Sequence, residues 1–425
     1  MNEESIDFLK SHQYLEKFQR PLYSRYAFSC IPDTIQRLLI GEGQNSMAQG
    51  AVGGSFDSYD AVILLLIDGF GWEFFQAYLE KYPFLRRVSQ EGVVSAISSS
   101  FPSTTAAHLT SLHTGLEIGQ TGIYEWFQYE PIVDRMVAHL PLTYAGDPCC
   151  DRLPKEGYLT SQLFPFESVY SQWRKKGIRS FALQQEKIAH SAYSQAMFQG
   201  ADLVPFATWK EGLERASALL KQPFDEPLAL FLYWGDIDSA GHRQGICSAA
   251  FEDAVKECLT GIEEIFLPRI AGIRKKIALL VTADHGMVKV DPKRTLYLNQ
   301  LCPELEKMVQ KNRKGELLLP AGSCRDFFLH IAPPFLAQAK ELLQKALKGK
   351  AEVVETESMI QEGIFGQKKV SSRFLERVGN LAVLPYLSES VFWKFPGHRF
   401  DQHFLAAHGG MTEQEMQSIF LTYIP

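Results

Sequence analysis

Side chains of metal-ligand type stand where apolar runs end. Asp68 follows AVILLLI (61–67), Asp236 and Asp238 follow PLALFLYWG, and Asp284 and His285 follow KIALLVTA. His242 lies four residues after Asp238 in DSAGH, and His408 comes late in AAHGG. A buried strand tip is an expensive place for carboxylates unless a cation compensates them. Several strands delivering Asp or His to one edge of a sheet therefore point to bound metal. The mixed Asp/His set suits zinc, manganese or iron better than calcium, which prefers all-oxygen shells. Between the first two of these runs, SSSFPSTTAAHLTSLHTG (98–115) gathers hydroxyls at the start of a predicted helix. Free backbone amides and the helix dipole favour an anion there. A hydroxyl touching a metal at that point is acidified and can attack phosphorus. Taken alone, the same stretch reads as N-capping by Ser103 or Thr104.

These residues need strands to deliver them. AVILLLI has the texture of a strand buried on both faces of a parallel sheet, and GWEFFQAYLEKY (71–82) follows at helical spacing. VVSAISSS (93–100), IRSFALQ (178–184), PLALFLYWGD (227–236) and KIALLVTADHG (276–286) predict further strands. Helices are predicted at 104–115 and around 208–221 and 248–266, and SIFLTYI (418–424) returns as one more core strand. Such alternation implies an α/β fold with a mainly parallel sheet, whose ligands bind outside the carboxyl ends of the strands.

Three regions are expected. Residues 1–55 form a helical arm and the Gly/Ser/Gln-rich connector GEGQNSMAQGAVGGS (41–55), a mobile surface loop by its lack of periodicity. Residues 56–286 with 405–425 form the metal-binding α/β core. Residues 287–404 read as a small α+β insertion, with DFFLHI (326–331), the amphipathic FLAQAKELLQKALKG (335–349), AEVVE, LAVLPY and ESVFWKF.

Composition narrows the class. The 425 residues are 46% hydrophobic and 22% charged, which rules out collagen-like, disordered and coiled-coil chains. A net charge of −6 argues against a nucleic-acid polymer or an anionic membrane as partner, while leaving room for a small anionic substrate. No run approaches a membrane span, and the N-terminus lacks the apolar stretch of a signal peptide. Seven scattered cysteines without a Cys-x-x-Cys pair read as reduced thiols, so a cytoplasmic location is expected.

In this order, LIDGFGW, FPSTTAAHLTSLHTG, DIDSAGHRQG, TADHGM and AAHGGMT resemble the alkaline phosphatase superfamily. The nearest likeness is to its nucleotide pyrophosphatase/type I phosphodiesterase branch. The resemblance spans roughly 60–286 and the last two dozen residues, with the insertion where the family carries a cap. It implies an alkaline-phosphatase-like core with a mainly parallel central sheet flanked by helices, plus that small α+β cap. It also implies two divalent metal ions, zinc or else manganese, beside a Thr or Ser nucleophile. By motif, Thr105 is the nucleophile, with Thr104 the alternative. One ion falls to Asp68, Thr105, Asp284 and His285, and the other to Asp238, His242 and His408. The implied reaction is cleavage of phosphodiester or pyrophosphate bonds in a small phosphorylated substrate, such as a nucleotide, through a phosphothreonine intermediate.

The sequence also departs from that branch. Thr121-Gly122-Ile123 replaces a His-Gly-Ile stretch, Glu125 and Trp126 fall where an asparagine holds a phosphate oxygen, and His108 replaces an asparagine after the nucleophile. His108, Glu125 and Trp126 are therefore the expected substrate contacts. Glu125 would repel a phosphate unless it turns away or pairs with a cation. A phosphomonoesterase, phosphonate hydrolase or phosphomutase of the same superfamily is the alternative, and a non-catalytic metal-stabilised binding protein the distant one. The formylglycine motif of sulfatases and a Gly-x-Gly-x-x-Gly turn are both absent. His12, His113, His139, His190 and His330 read as surface or packing residues, and Asp236 as a fallback ligand. His398 and His403 are candidates to line the pocket. Tyr124, Trp126 and Phe127 either stack on a base or simply pack.

Overall fold

The run Ala61–Ile67 (β1) is buried at every residue and forms the middle of a seven-stranded sheet. The other strands are Val93–Ser98 (β2), Arg179–Gln185 (β3), Asp202–Phe206 (β4), Leu228–Trp234 (β5), Ile277–Thr282 (β6) and Gln417–Tyr423 (β7). Their order is β2-β7-β6-β1-β5-β3-β4. The pairings β6–β1, β1–β5, β5–β3 and β3–β4 are parallel, while β7 runs antiparallel to β6 and β2. Helices flank this mainly parallel sheet, as the alternating pattern requires. The computed structural model describes every residue except 54, 55, 57 and 396–399.

Register does the positioning. Ile67 pairs with Trp234, and Leu66 pairs with Thr282. The chain therefore leaves β1, β5 and β6 at nearly one level, with Asp68, Asp236 and Asp284 just beyond the strand ends.

Within 287–404, a four-stranded antiparallel sheet runs Ala321–Gly322, Phe327–Leu329, Leu381–Pro385, Ala351–Glu355. The helix Leu336–Ala346 packs on it through Ala339 and Leu343. Among the elements without a counterpart in the sequence expectations, two bear on the sheet and the site. These are β4 and a three-stranded antiparallel sheet of Phe127–Glu130, Arg135–Ala138 and Thr143–Tyr144. Their short strands mix polar with apolar residues and carry no continuous hydrophobic run.

The connector behaves differently from its composition. Met47, Ala51 and Val52 are buried in the main core together with Leu9, Phe28 and Leu38 of the preceding arm. Met47 N donates to Thr34 Oγ1 at 2.8 Å, and Thr422 Oγ1 donates to the Ala51 carbonyl at 2.9 Å. Small residues let an irregular chain lie flat on the sheet edge, so missing periodicity marks missing regular structure rather than exposure. Among the described residues, no helix is long and apolar enough to cross a membrane.

Candidate active site

The helix Thr105–Thr114 begins where the loop after β2 meets the ends of β1 and β6. Thr104 is its N-cap, accepting from Ala107 N and donating from Oγ1 to the Tyr124 carbonyl at 3.1 Å. Thr104 is buried and its hydroxyl is committed. Thr105 is the one residue between 94 and 114 that is not fully buried. Its Oγ1 lies 3.2 Å from His285 Nε2 and 3.3 and 3.4 Å from the two oxygens of Asp68.

Asp68, Asp284 and His285 form the buried floor of the site. Gly69 N donates to Asp284 Oδ1 at 3.2 Å. Gly69 sits at φ +74°, and a Cβ there would come within 3.2 Å of Asp238, so the turn after Asp68 requires glycine. Asp238 and His242 lie one turn apart on the helix Asp236–Gln244, which brings His242 Nε2 to 3.2 Å from Asp238 Oδ1. His408 Nε2 is 3.5 Å from the same oxygen and 3.1 Å from His242 Nε2. The rings of His285 and His408 stack with centroids 3.6 Å apart.

All three histidines are oriented alike. His285 Nδ1 meets the Gly286 carbonyl at 3.1 Å, His242 Nδ1 the Ala406 carbonyl at 2.8 Å, and His408 Nδ1 the Ser103 carbonyl at 2.9 Å. A carbonyl only accepts, so each Nδ1 carries the proton and each Nε2 presents a lone pair to the site. This is how metal-binding imidazoles are held. Two such lone pairs facing each other at 3.1 Å need a proton or a cation between them. Asp238 Oδ1 and Asp284 Oδ2 are buried without a hydrogen-bond partner. Among the described residues, the partners of the three carboxylates are imidazoles, hydroxyls and backbone amides rather than Lys or Arg. Asp68, Asp284 and His285 offer atoms close enough to hold one ion, and Asp238, His285 and His408 offer a second such set. The donor set thus fits divalent metal ions of the zinc type.

Electrostatics agree with that fit. Burial, reinforced by Asp284 and Asp238, holds the Asp68 carboxyl well above its usual range. Burial, with Asp238 adding to it, pushes Asp284 up to about 7. Burial also keeps His285 and His408 neutral. Despite burial, Asp238 is held low by His242 and His408, and His242 is raised by Asp238. A site this short of positive charge invites a cation.

Two expected substrate contacts are buried and engaged by protein groups beside the site. His108 is fully buried, with Nε2 accepting from Ser100 N at 2.9 Å and Nδ1 donating to the Thr104 carbonyl at 2.8 Å. Both nitrogens brace the Thr105 loop, and burial lowers its pKa to about 4. Glu125 is 2% exposed and turned inward, where Oε2 accepts from Trp126 N at 2.6 Å and the carboxyl meets Asp326. Trp126 alone of the three stays 40% exposed. Asp236 sits apart from the cluster, within 3.5 Å of Gln185 Nε2. His403 is exposed, and His398 lies outside the described residues. His113 packs against Tyr170, Phe198 and Phe231.

One residue at the site escaped the sequence reading. Tyr233, near the end of β5, donates from Oη to Asp68 Oδ2 at 2.5 Å. Its signal was the one hydroxyl within LALFLYW, next to the strand end that leads to Asp238.

The sequence profile described as type I phosphodiesterase/nucleotide pyrophosphatase matches residues 62–389. The chain belongs to that family. Solved structures agree on the fold. Murine ectonucleotide pyrophosphatase/phosphodiesterase 5, as an inactive threonine-to-alanine variant in complex with AMP, superposes with a TM-score of 0.63 at 17% identity, covering 85% of this chain and 87% of that one. The same murine protein without that change gives 0.62 at 18%, covering 86% and 88%, and the human protein gives 0.59 at 18%, covering 85% and 87%. Comparison with curated protein sequences gives no match. This family member is accordingly an alkaline-phosphatase-superfamily α/β protein and a phosphodiester hydrolase by descent.

Proposed function

We propose that this family member is a two-metal phosphodiesterase or nucleotide pyrophosphatase that works through a phosphothreonine at Thr105. The observation that carries the reading is the accessible Thr105 Oγ1, set 3.2–3.4 Å from His285 and Asp68 at the rim of the carboxylate–imidazole cluster. Asp68, Thr105, Asp284 and His285 would hold one ion and Asp238, His242 and His408 the other, zinc or else manganese. Bound there, the ions would acidify a hydroxyl or water and neutralise charge on the phosphoryl oxygens. Thr105 Oγ1 bonds to phosphorus as the bond to the leaving alcohol or phosphate breaks, and its proton is within reach of Asp68 and His285. Water then attacks phosphorus and frees Thr105.

A nucleotide is the substrate class we favour, by likeness to the relative that binds AMP. The inward turn of Glu125 removes the repulsion that its position would otherwise impose on a phosphate, whether monoester or diester. All seven cysteines are unpaired, which suits a reducing compartment such as the cytoplasm. The test compares bis-p-nitrophenyl phosphate with p-nitrophenyl phosphate on zinc- or manganese-loaded protein, an EDTA-stripped control and Thr105→Ala. Faster, metal-dependent cleavage of the diester that Thr105→Ala abolishes is expected. Faster cleavage of the monoester would reassign the protein as a phosphomonoesterase, and full activity without metal would end the two-metal reading.

A further inference from the structure

The cap segment meets the candidate site at the turn Ser323–Asp326, besides the Phe404 ring, whose centroid lies 4.6 Å from that of His242. Ser323 Oγ shares its one proton between Asp326 Oδ1 at 2.6 Å and the His408 carbonyl at 3.0 Å. Gly409 follows at φ +113°, so close that a Cβ there would fall 2.4 Å from Asp326 Oδ1. His408 Nδ1 returns to the Ser103 carbonyl, next to the N-cap Thr104, whose hydroxyl reaches the Tyr124 carbonyl. Glu125 comes next in the chain, and its carboxyl meets that of Asp326. The contacts close a ring running through the Thr105 loop, the His408 loop and the cap.

The one unusual link is the meeting of two acids. Glu125 and Asp326 are 2% and 0% exposed, and Glu125 Oε1 and Asp326 Oδ2 have no other donor. The remaining oxygens are taken, Oε2 by Trp126 N and Oδ1 by Ser323 N and Oγ. Two carboxylates facing each other away from water cannot both stay ionised, so one keeps a proton and donates it to its partner. Burial pushes Glu125 up to about 7, and burial together with Glu125 holds Asp326 well above its usual range.

We propose that the Glu125–Asp326 carboxyl pair, closed by one shared proton, is the latch that sets the cap turn against the His408 and Thr105 loops. Glu125 and Asp326 are then positioning residues for the ion on the His408 side, an inference that rests on the metal-site reading above. A single amide can replace the proton. In Glu125→Gln the amide oxygen still accepts from Trp126 N while the NH2 donates to Asp326. Asp326→Asn keeps Ser323 and donates to Glu125. The double variant sets two NH2 groups face to face.

The experiment is a double-mutant cycle with two readouts: thermal midpoint of the metal-free protein, and affinity for each of two zinc equivalents by chelator competition. Each single amide should keep both zinc affinities within about twofold of the parent. The double variant should lower the midpoint and lose at least tenfold in affinity for one equivalent only. A single amide as damaging as the double would overturn the proposal, because the pair would then be doubly ionised around a cation. A double variant that melts earlier but binds both equivalents normally would also overturn it, leaving a structural contact alone. Should the parent take up no zinc, the functional reading fails, while non-additive midpoints still decide the latch.

Discussion

Changing Tyr233 to Phe removes one hydroxyl and leaves the ring in place. That hydroxyl donates to Asp68 Oδ2 at 2.5 Å, and Asp68 is 2% exposed, so water cannot readily replace it. A hydrogen bond to a charged group contributes about 1.5–3 kcal/mol. At about 1.4 kcal/mol per tenfold, the loss corresponds to a roughly ten- to hundredfold weaker hold on whatever Asp68 binds. The effect should fall mainly on one ion, since Tyr233 Oη hydrogen-bonds Asp68 directly and reaches Asp238 of the Asp238–His242–His408 group only through space. Chelator competition on Tyr233→Phe should therefore show one zinc equivalent weakened about ten- to hundredfold and the other within about twofold. Turnover at limiting zinc should fall, and excess zinc should restore most of it. Unchanged affinity for both equivalents, in a protein that melts normally, would refute the assignment of Asp68 as a ligand oriented by Tyr233. An equal loss at both would show that the two clusters are not separate sites.

The same carboxylates make metal removal pH-dependent. Asp68 and Asp284 have raised pKa values in the folded protein through burial, so the stability they contribute is present at low pH and lost as pH rises through their folded values. With Asp284 near 7, its share of the loss between about pH 6.5 and 8 is about 1 kcal/mol, with Asp68 adding to it in the same direction. The depressed His285 and His408 offset part of this, because they are half charged in the unfolded chain at about pH 6.5 and each regains roughly 0.4 kcal/mol by about pH 7.5; Asp68, raised well above its usual range, keeps the net change downward. Denaturant midpoints of EDTA-stripped and zinc-loaded protein should thus diverge from pH 6.5 to pH 8; convergence would contradict the buried acid pair. His108→Ala should cost about 2–4 kcal/mol of stability, because it opens a cavity and strands the Ser100 amide, while KM moves less than about twofold. A large KM change in a protein of near-normal stability would return His108 to the substrate.

What the sequence could carry was the part of the site built from side chains on strong local patterns. AVILLLI is buried on both faces, so it can only be a central strand, and the polar residue ending it stands out. Asp238 and His242 share a helix face at four-residue spacing, which brings their side chains together as the helix forms. Where the pattern was weak, the reading failed. Strand β4 and the sheet of 127–144 are built of runs of two to five residues, too short to register, and the connector at 41–55 hid its buried Met47, Ala51 and Val52 among small residues.

The largest gap concerns what holds the ligands rather than which they are. Each imidazole is aimed by a backbone carbonyl, from Gly286, Ala406 and Ser103, and a carbonyl has no residue type to recognise. His408 shows the consequence. Its motif, AAHGG, names the histidine but not the support beneath it, which comes from Ser103 in one loop and Ser323 in the cap. Nor does any local pattern tie Glu125 to Asp326, which stand far apart in the chain and look like ordinary surface acids until the fold removes both from water. The cap, expected only as a small α+β insertion, thereby becomes part of how His408 is placed. Substitutions in the turn Ser323–Asp326 should then disturb metal binding before they disturb substrate choice.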